Sequence, residues 1–341
     1  MTYRVLLIDY SHFMREMLCC LIESDGDIEV VGMAGDFESS LKLKRQLQPD
    51  VILLDADLAG MHGRAFLEQI IEKQSAPVIM ISSLTRRNVD ISLRALEMGA
   101  FDVVTKSAAT SREMSHLRQQ LILQIKSASM VCKTLLPVNR SLFLQQAKLR
   151  SQSFQRQLIA IGASSGGVET LSFLMSQLPI GLPPILITQH LPEAFLAPMA
   201  ERLNMHSAIN VRPAQVGENL QSGHAYIANT TSQLGLSANG SLFVSANPHV
   251  TTHIEQRPSV DIMFYQAAKK MGERSMGIIL TGTGKDGSEG LRAMRDAGAC
   301  TLGQTPESSI ASDMPSQAIE RGAVQQEVAL SALPQAIMEL C

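Results

Sequence analysis

The 341-residue sequence predicts two α/β domains in series. The first is a doubly wound (βα)5 domain over residues 1–125, and the second is an α/β domain with a mainly parallel sheet over 157–341; a basic linker at 126–156 joins them. Three observations carry this. Short, continuous apolar runs recur, each followed by an amphipathic stretch, the pattern of strands buried on both faces by crossover helices. The pattern lapses in 126–156 and then resumes. Hydrophobic residues make up 45% of the chain, enough for a core in each half.

In the first half the runs are Val5–Ile8, Val30–Ala34, Val51–Leu54, Val78–Ile81 and Val103–Val104. Amphipathic stretches near 12–24, 37–48, 64–73, 88–98 and 111–126 read as the helices between and after them. From Met114 to Val168 there is no Asp or Glu, while Arg118, Lys126, Lys133, Arg140, Lys148, Arg150 and Arg156 fall in that span. With its Ser, Gln and Pro137, the segment reads as a solvated connector; its positive charge also suits an acidic docking partner. In the second half, strands are expected at Leu158–Gly162, Ile185–Thr188, Ala225–Ala228, Met276–Leu280 and Cys300–Gly303. Helices are expected at 167–178, 194–204, 259–271, 288–297 and 315–321, with hairpins and loops in the Gly/Asn/Ser-rich 229–248.

Bulk properties exclude several classes. A net charge of −3 gives no global attraction to nucleic acid or membranes. Trp is absent and aromatics are 4%, a poor base-stacking surface. No apolar run is long enough to span a bilayer, and the N-terminus lacks the apolar region of a signal peptide. Cys19, Cys20, Cys132, Cys300 and Cys341 form no CxxC pair, so neither a zinc site nor a disulfide framework is expected. The expectation is a cytoplasmic monomer that binds no nucleic acid and inserts into no membrane.

Strand ends in the first half concentrate reactive groups. Asp9 ends the first strand, Asp55 ends the third with Asp57 following it, Ser82 ends the fourth and Lys106 the fifth. In a doubly wound sheet these ends converge on one edge. A nucleophilic carboxylate, further carboxylates for a divalent cation, a hydroxyl and a lysine make a phosphoryl-accepting pocket. The arrangement resembles the receiver domain of response regulators across residues 1–125. The resemblance implies that Asp55 is the phosphoacceptor, that Ser82 and Lys106 are the switch pair, and that Asp9, Asp55 and Asp57 surround Mg²⁺. It implies a histidine kinase as phosphodonor. The sequence departs from the pattern at Tyr10, where a second acid is usual, and at Ala59, His62 and Ser107. Losing a carboxylate weakens a site for a hard cation. A phosphorylated receiver and a pseudo-receiver regulated by contacts alone both remain open.

In the second half Gly162-Ala-Ser164-Ser-Gly166-Gly167 follows a strand and opens a helix. It fits a nucleophile elbow, whose glycines allow the tight turn and whose helix start favours developing negative charge. A nucleotide-binding glycine loop is the competing reading. A dehydrogenase would want a further glycine at Val168; the spaced Tyr265 and Lys269 fall inside a helix, where such a pair is ordinarily packing. Two more strands end in Gln189-His190-Leu-Pro192 and in Leu280-Thr-Gly-Thr283-Gly-Lys-Asp286-Gly287. Ser164, His190 and Asp286 thus sit at the ends of three strands, where an open α/β sheet assembles a triad. The order Ser…His…Asp differs from that of α/β-hydrolases.

These motifs resemble the catalytic domain of chemotaxis protein-glutamate methylesterases over about 157–341. The match takes in GASSGG, QHLP, GHAYIA at 223–228, RPSVDIMF at 257–264, LTGTGKDG, and Gln304 with SSIASDMPSQAI at 308–319. It implies Ser164 as nucleophile, His190 as general base and acid, Asp286 as the carboxylate behind it, and the Thr283 N–H as an oxyanion donor, with Ser165 in support. The implied substrates are glutamyl γ-methyl esters on the cytoplasmic helices of methylated chemoreceptors, with glutamine deamidation as a second activity. No cofactor is needed for that chemistry, and the receiver gates it. Asn229 stands where proline is usual. Rival classes are a non-enzymatic chemosensory adaptor, disfavoured by the complete Ser, His and Asp set, and a transcriptional regulator, disfavoured because no basic recognition helix is visible. His249 and His253 share helical spacing but lack the HExxH glutamate, so they read as loop residues.

Overall fold

The computed structural model describes residues 2–71, 76–106, 110–130, 156–229, 232–236, 242–246 and 259–341. The chain divides into two compact units, 1–135 and 136–341.

The first unit is a five-stranded parallel sheet of order β2-β1-β3-β4-β5. Its elements are β1 (Tyr3–Ile8), α1 (His12–Glu23), β2 (Ile28–Ala34), α2 (Phe37–Leu47), β3 (Val51–Asp55), α3 (Ala56–Ile70), β4 (Val78–Ser82), α4 (Arg86–Glu97), β5 (Asp102–Thr105) and α5 (Ser111–Met130). β3 and β4 are buried along their whole length, as continuous Val/Ile/Leu runs require in a sheet covered on both faces. The strand order reverses between β1 and β3, so the crevice of this unit opens beside Asp9 and Asp55.

Two boundaries differ from the sequence reading. Helix α3 starts at Ala56 rather than near 64, because the Asp55 carboxylate accepts from the Leu58 N–H and caps it; Gly63, at φ 73°, breaks the helix at the expected start. Helix α5 continues to Met130. Lys126, assigned to the linker, belongs to the first unit, where it pairs with Asp25 at 2.6 Å and Asp27 at 3.1 Å. The rest of the expected linker up to 155 lies outside the described residues.

The second unit centres on a seven-stranded parallel sheet of order β14-β13-β12-β6-β7-β9-β8. Its elements are β6 (Leu158–Ala163), α6 (Gly167–Gln177), β7 (Ile185–Gln189), α7 (Glu193–His206), β8 (Asn210–Pro213), β9 (His224–Ile227), β10 (Ser232–Leu236), β11 (Leu242–Ala246), α8 (Val260–Met271), β12 (Ser275–Ile279), α9 (Ser288–Asp296), β13 (Cys300–Gln304), α10 (Asp313–Glu320), β14 (Gln326–Val328) and α11 (Leu333–Leu340). Strands β10 and β11 pair as the antiparallel hairpin expected within 229–248. The sequence reading missed β8, β14 and α11. The two strands are edge strands of three or four residues with few buried positions, too short and too polar to stand out by periodicity. Helix α11 follows directly on a short 3-10 turn, and two of its eight residues are Pro334 and Glu339.

The chain leaves β6 toward β7 on one side of the sheet and returns to β12 on the other, so the switch point of this sheet is β6 itself. Residue pairings Ala163↔Gln189 and Gly162↔Ile279 set the three strands in register, and the residues just beyond them share one edge. Among the described residues no helix is long and apolar enough to cross a membrane.

Candidate active site

Ser164 is the first residue past β6 and is 3% exposed. The turn that follows is forced. Gly166 sits at φ 75°, and a Cβ there would lie 2.5 Å from the Ile310 Cβ, so only glycine lets the chain enter α6 at this angle. The Ser164 N–H donates to the Thr281 carbonyl at 3.0 Å, and its carbonyl accepts from Gln189 Nε2 at 2.8 Å. Across from it Gly282 approaches so closely that a Cβ would lie 2.7 Å from the Ser164 Cβ and 2.2 Å from the Met314 sulfur. The serine is held between the start of α6 and the 281–287 loop.

His190 follows β7, and its N–H donates to the Ala163 carbonyl at 3.1 Å. That bond fixes the histidine beside the strand that delivers Ser164. Its Nε2 lies 2.8 Å from Asp286 Oδ2, so Nδ1 is the nitrogen left for proton transfer. Asp286 is itself tightly held. Its Oδ1 accepts from the Ser259 hydroxyl at 3.1 Å and the Asp261 N–H at 2.9 Å; its Oδ2 also accepts from the Val260 N–H at 2.8 Å. Burial alone would raise the Asp286 pKa, but the His190 hydrogen bond and charge, with the N–H groups of Asp261 and Val260, outweigh it and hold the carboxyl below the usual range.

The hydroxyls of Ser165 and Thr283 lie 3.0 Å apart, both buried. The Thr283 N–H donates to no acceptor among the described residues. Thr281 and Gln304 secure the loop: Thr281 Oγ1 bonds the carbonyls of Ser165 and Ala311, and the Thr281 N–H donates to Gln304 Oε1 at 2.9 Å. The sequence reading named Ser164, Ser165, His190, Thr283 and Asp286, and the fold brings all five to one edge. It assigned no role to Ser259, Asp261, Gln189 or Thr281. Ser259 had a visible signal, a serine opening a helical pattern, and it does cap α8. The others act through contacts between distant segments, which leave no local pattern. Tyr265 and Lys269 lie on α8 with Tyr265 exposed, as ordinary helix-surface residues. His249 and His253 lie outside the described residues.

In the first unit, Lys106 Nζ bridges Asp9 Oδ2 at 2.8 Å and Asp55 Oδ1 at 2.5 Å, with both carboxylates buried. Burial raises the Asp55 pKa and Lys106 opposes that rise; burial would lower the Lys106 pKa, but the two carboxylates overcome it and raise it. Ser82 is fully buried, and its carbonyl accepts from the Lys106 N–H at 2.8 Å. Asp57 sits inside α3 and its carboxylate accepts from Asn88 Nδ2 at 2.9 Å, while Tyr10, in place of a second acid, is exposed. Among the described residues no three His, Cys, Asp or Glu side chains are placed to hold a metal. Both inward carboxylates, Asp9 and Asp55, are paired with Lys106, so Mg²⁺ would compete with its ammonium for them. His62 packs its ring against Phe37 and Phe66, and Ser107 lies outside the described residues.

Comparison with known proteins agrees with both halves. Residues 5–118 match the response regulator receiver domain family, and residues 159–337 match the CheB methylesterase family. Together with the two sheets, these matches define a response regulator whose output unit is a hydrolase. The chain belongs to the family of protein-glutamate methylesterases/protein-glutamine glutaminases. It is 38% identical to the Escherichia coli K12 member over 98% of this chain and 96% of that protein. It is 39% identical to the Methylobacillus flagellatus member, covering 99% and 97%. The catalytic domain of Thermotoga maritima CheB methylesterase superposes with a TM-score of 0.51 at 31% identity, covering 55% of this chain and 99% of that one.

Proposed function

We propose that the protein hydrolyses glutamyl γ-methyl esters on the cytoplasmic helices of chemoreceptors, and deamidates glutamines there, through Ser164, His190 and Asp286. The observation that carries this is the 2.8 Å His190–Asp286 pair standing at the strand end next to the Ser164 elbow. His190 Nδ1 takes the Ser164 proton as Oγ attacks the ester carbonyl. Asp286 keeps the ring oriented and stabilises the imidazolium that forms. The Thr283 N–H receives the oxyanion; one such donor contributes roughly 3 kcal/mol. As the tetrahedral intermediate collapses, His190 gives that proton to the leaving methoxy oxygen, or to the leaving amide nitrogen of a glutamine, and methanol or ammonia departs. Water, deprotonated by the same nitrogen, hydrolyses the acyl-enzyme to a glutamate. Every proton and charge in this sequence has a protein group to carry it, so no cofactor is required.

The receiver gates this activity. Membership of that family supports a histidine kinase as phosphodonor with Asp55 as acceptor and Lys106 and Ser82 as its switch partners. The cytoplasm is where such a donor and the receptor helices meet the enzyme, and it acts there as a monomer, without nucleic acid.

The test is methanol release from methylated chemoreceptor membranes by the full chain and by Ser164→Ala, with and without acetyl phosphate. Release abolished in Ser164→Ala supports the serine esterase, and stimulation by acetyl phosphate supports gating through Asp55. Release that survives Ser164→Ala refutes the nucleophile.

A further inference from the structure

Two carboxylates, not one, stand behind His190. Asp286 receives N–H groups from the first turn of α8, those of Val260 and Asp261. Asp261, in that same turn, reaches the other way: its Oδ1 accepts from the Gly290 N–H at 2.7 Å, in the first turn of α9, the helix that Asp286 precedes. Each acid thus satisfies the orphan donors of the other's helix. The crossing sets the two carboxyl groups against each other. An acid at each position meets the helix start opposite with an acceptor and adds a negative charge that a neutral capping side chain would not.

We propose that Asp261 is a positioning residue of the esterase: crossed with Asp286 between the starts of α8 and α9, it fixes Asp286 in the orientation that receives His190 and supplies a second negative charge behind the forming imidazolium. The proposal rests on the triad reading given above. Asp261 acts through Asp286 and touches no substrate atom.

The electrostatics give it a distinctive signature. Burial first, and then the Asp286 carboxylate, push the Asp261 pKa up to about 6 against the Gly290 N–H, which favours the ion. The charged and titratable groups around it are Asp286 from the 281–287 loop, His190 beyond Asp286, Tyr265 one turn along α8, and Glu289 on α9, which is exposed and paired at 3.1 Å with Arg321, the residue that ends α10. Below about pH 6 Asp261 takes up a proton and the second charge disappears. The rate then falls with acid for two reasons, the one common to every imidazole base and the loss of this charge.

Asp261→Asn separates the two. Asparagine keeps the shape, still accepts from the Gly290 N–H, and can donate to Asp286, so it imitates protonated Asp261 at every pH. The experiment is kcat/KM for methanol release from methylated receptor membranes between pH 5 and 8.5, with the full chain, Asp261→Asn, Asp261→Glu and Ser164→Ala, and thermal unfolding of each. Asp261→Asn is expected to lose on the order of tenfold in kcat/KM at pH 8, the scale of one charge several ångströms away at intermediate dielectric, and to have a shallower acid limb than wild type. Asp261→Glu is expected to restore part of the steep limb. An Asp261→Asn profile superimposable on wild type, or lower by one factor at all pH values, overturns the proposal, the latter because it marks a merely structural role. If wild type itself turns over no better than Ser164→Ala, the triad reading has failed and Asp261 has no reaction to support.

Discussion

Replacing Asp286 by asparagine tests the site most directly, because four donors converge on this carboxylate. An amide offers one acceptor oxygen, so its NH2 must face donors on one side. Turned toward Oδ2, the NH2 meets the Val260 N–H and forces His190 to present an unprotonated Nε2, which reverses the tautomer. Turned toward Oδ1, it meets the Ser259 hydroxyl, which can rotate and accept, and orphans only the Asp261 N–H. The second arrangement costs less and should be the one adopted. One buried N–H without a partner costs about 1–3 kcal/mol, or about 5 °C in melting temperature for a unit of this size. The tautomer survives, but the charge behind the imidazolium is lost. Full loss of the triad carboxylate's function costs about 10⁴ in kcat where the tautomer is wrong. Here the expected loss lies between about a hundredfold and that limit. Methanol release and calorimetry on the same preparation measure both. Activity within tenfold of wild type would refute Asp286 as the residue that orients and charges the base.

Other expectations follow from the same contacts. Gly282→Ala places a Cβ 2.7 Å from Ser164 Cβ and 2.2 Å from the Met314 sulfur, so it should cost about 1–3 kcal/mol in overpacking and more than tenfold in rate, read by denaturant unfolding and methanol release. Lys106→Ala leaves Asp9 and Asp55 buried without their cation, a loss of about 3–5 kcal/mol in the receiver. Because the Asp55 pKa is raised, Asp55 can take up a proton at low pH and shed its buried charge; the loss should therefore be larger at pH 8 than at pH 5 in thermal unfolding. Asp261 has a folded pKa above its unfolded value of about 3.9, so its ionisation removes stability as pH rises through the interval up to about 6. Asp261→Asn should accordingly melt at or above the wild-type temperature at pH 8 and show no such gain at pH 4, even while it slows the reaction.

The two sheets were legible because their strands are buried on both faces: runs such as Val51–Leu54 and Leu158–Ile161 have no polar alternation to confuse with a surface strand. That Ser164, His190 and Asp286 meet at one edge was legible for a related reason. A doubly wound sheet sends the residues after its strands to one edge, so glycine-punctuated strand ends mark the site before any coordinate is known. What sequence could not decide was side-chain commitment. Asp57 has the right type and place for a metal-binding acid, yet Asn88, from a different helix, takes its carboxylate. Asp261 reads locally as an ordinary acid in the first turn of a helix, and only the docking of α8 against α9 sets it against Asp286. Local pattern determines which residues reach the edge of a sheet. Which partner each then meets depends on contacts between segments far apart in the chain, and those exist only once the helices have packed.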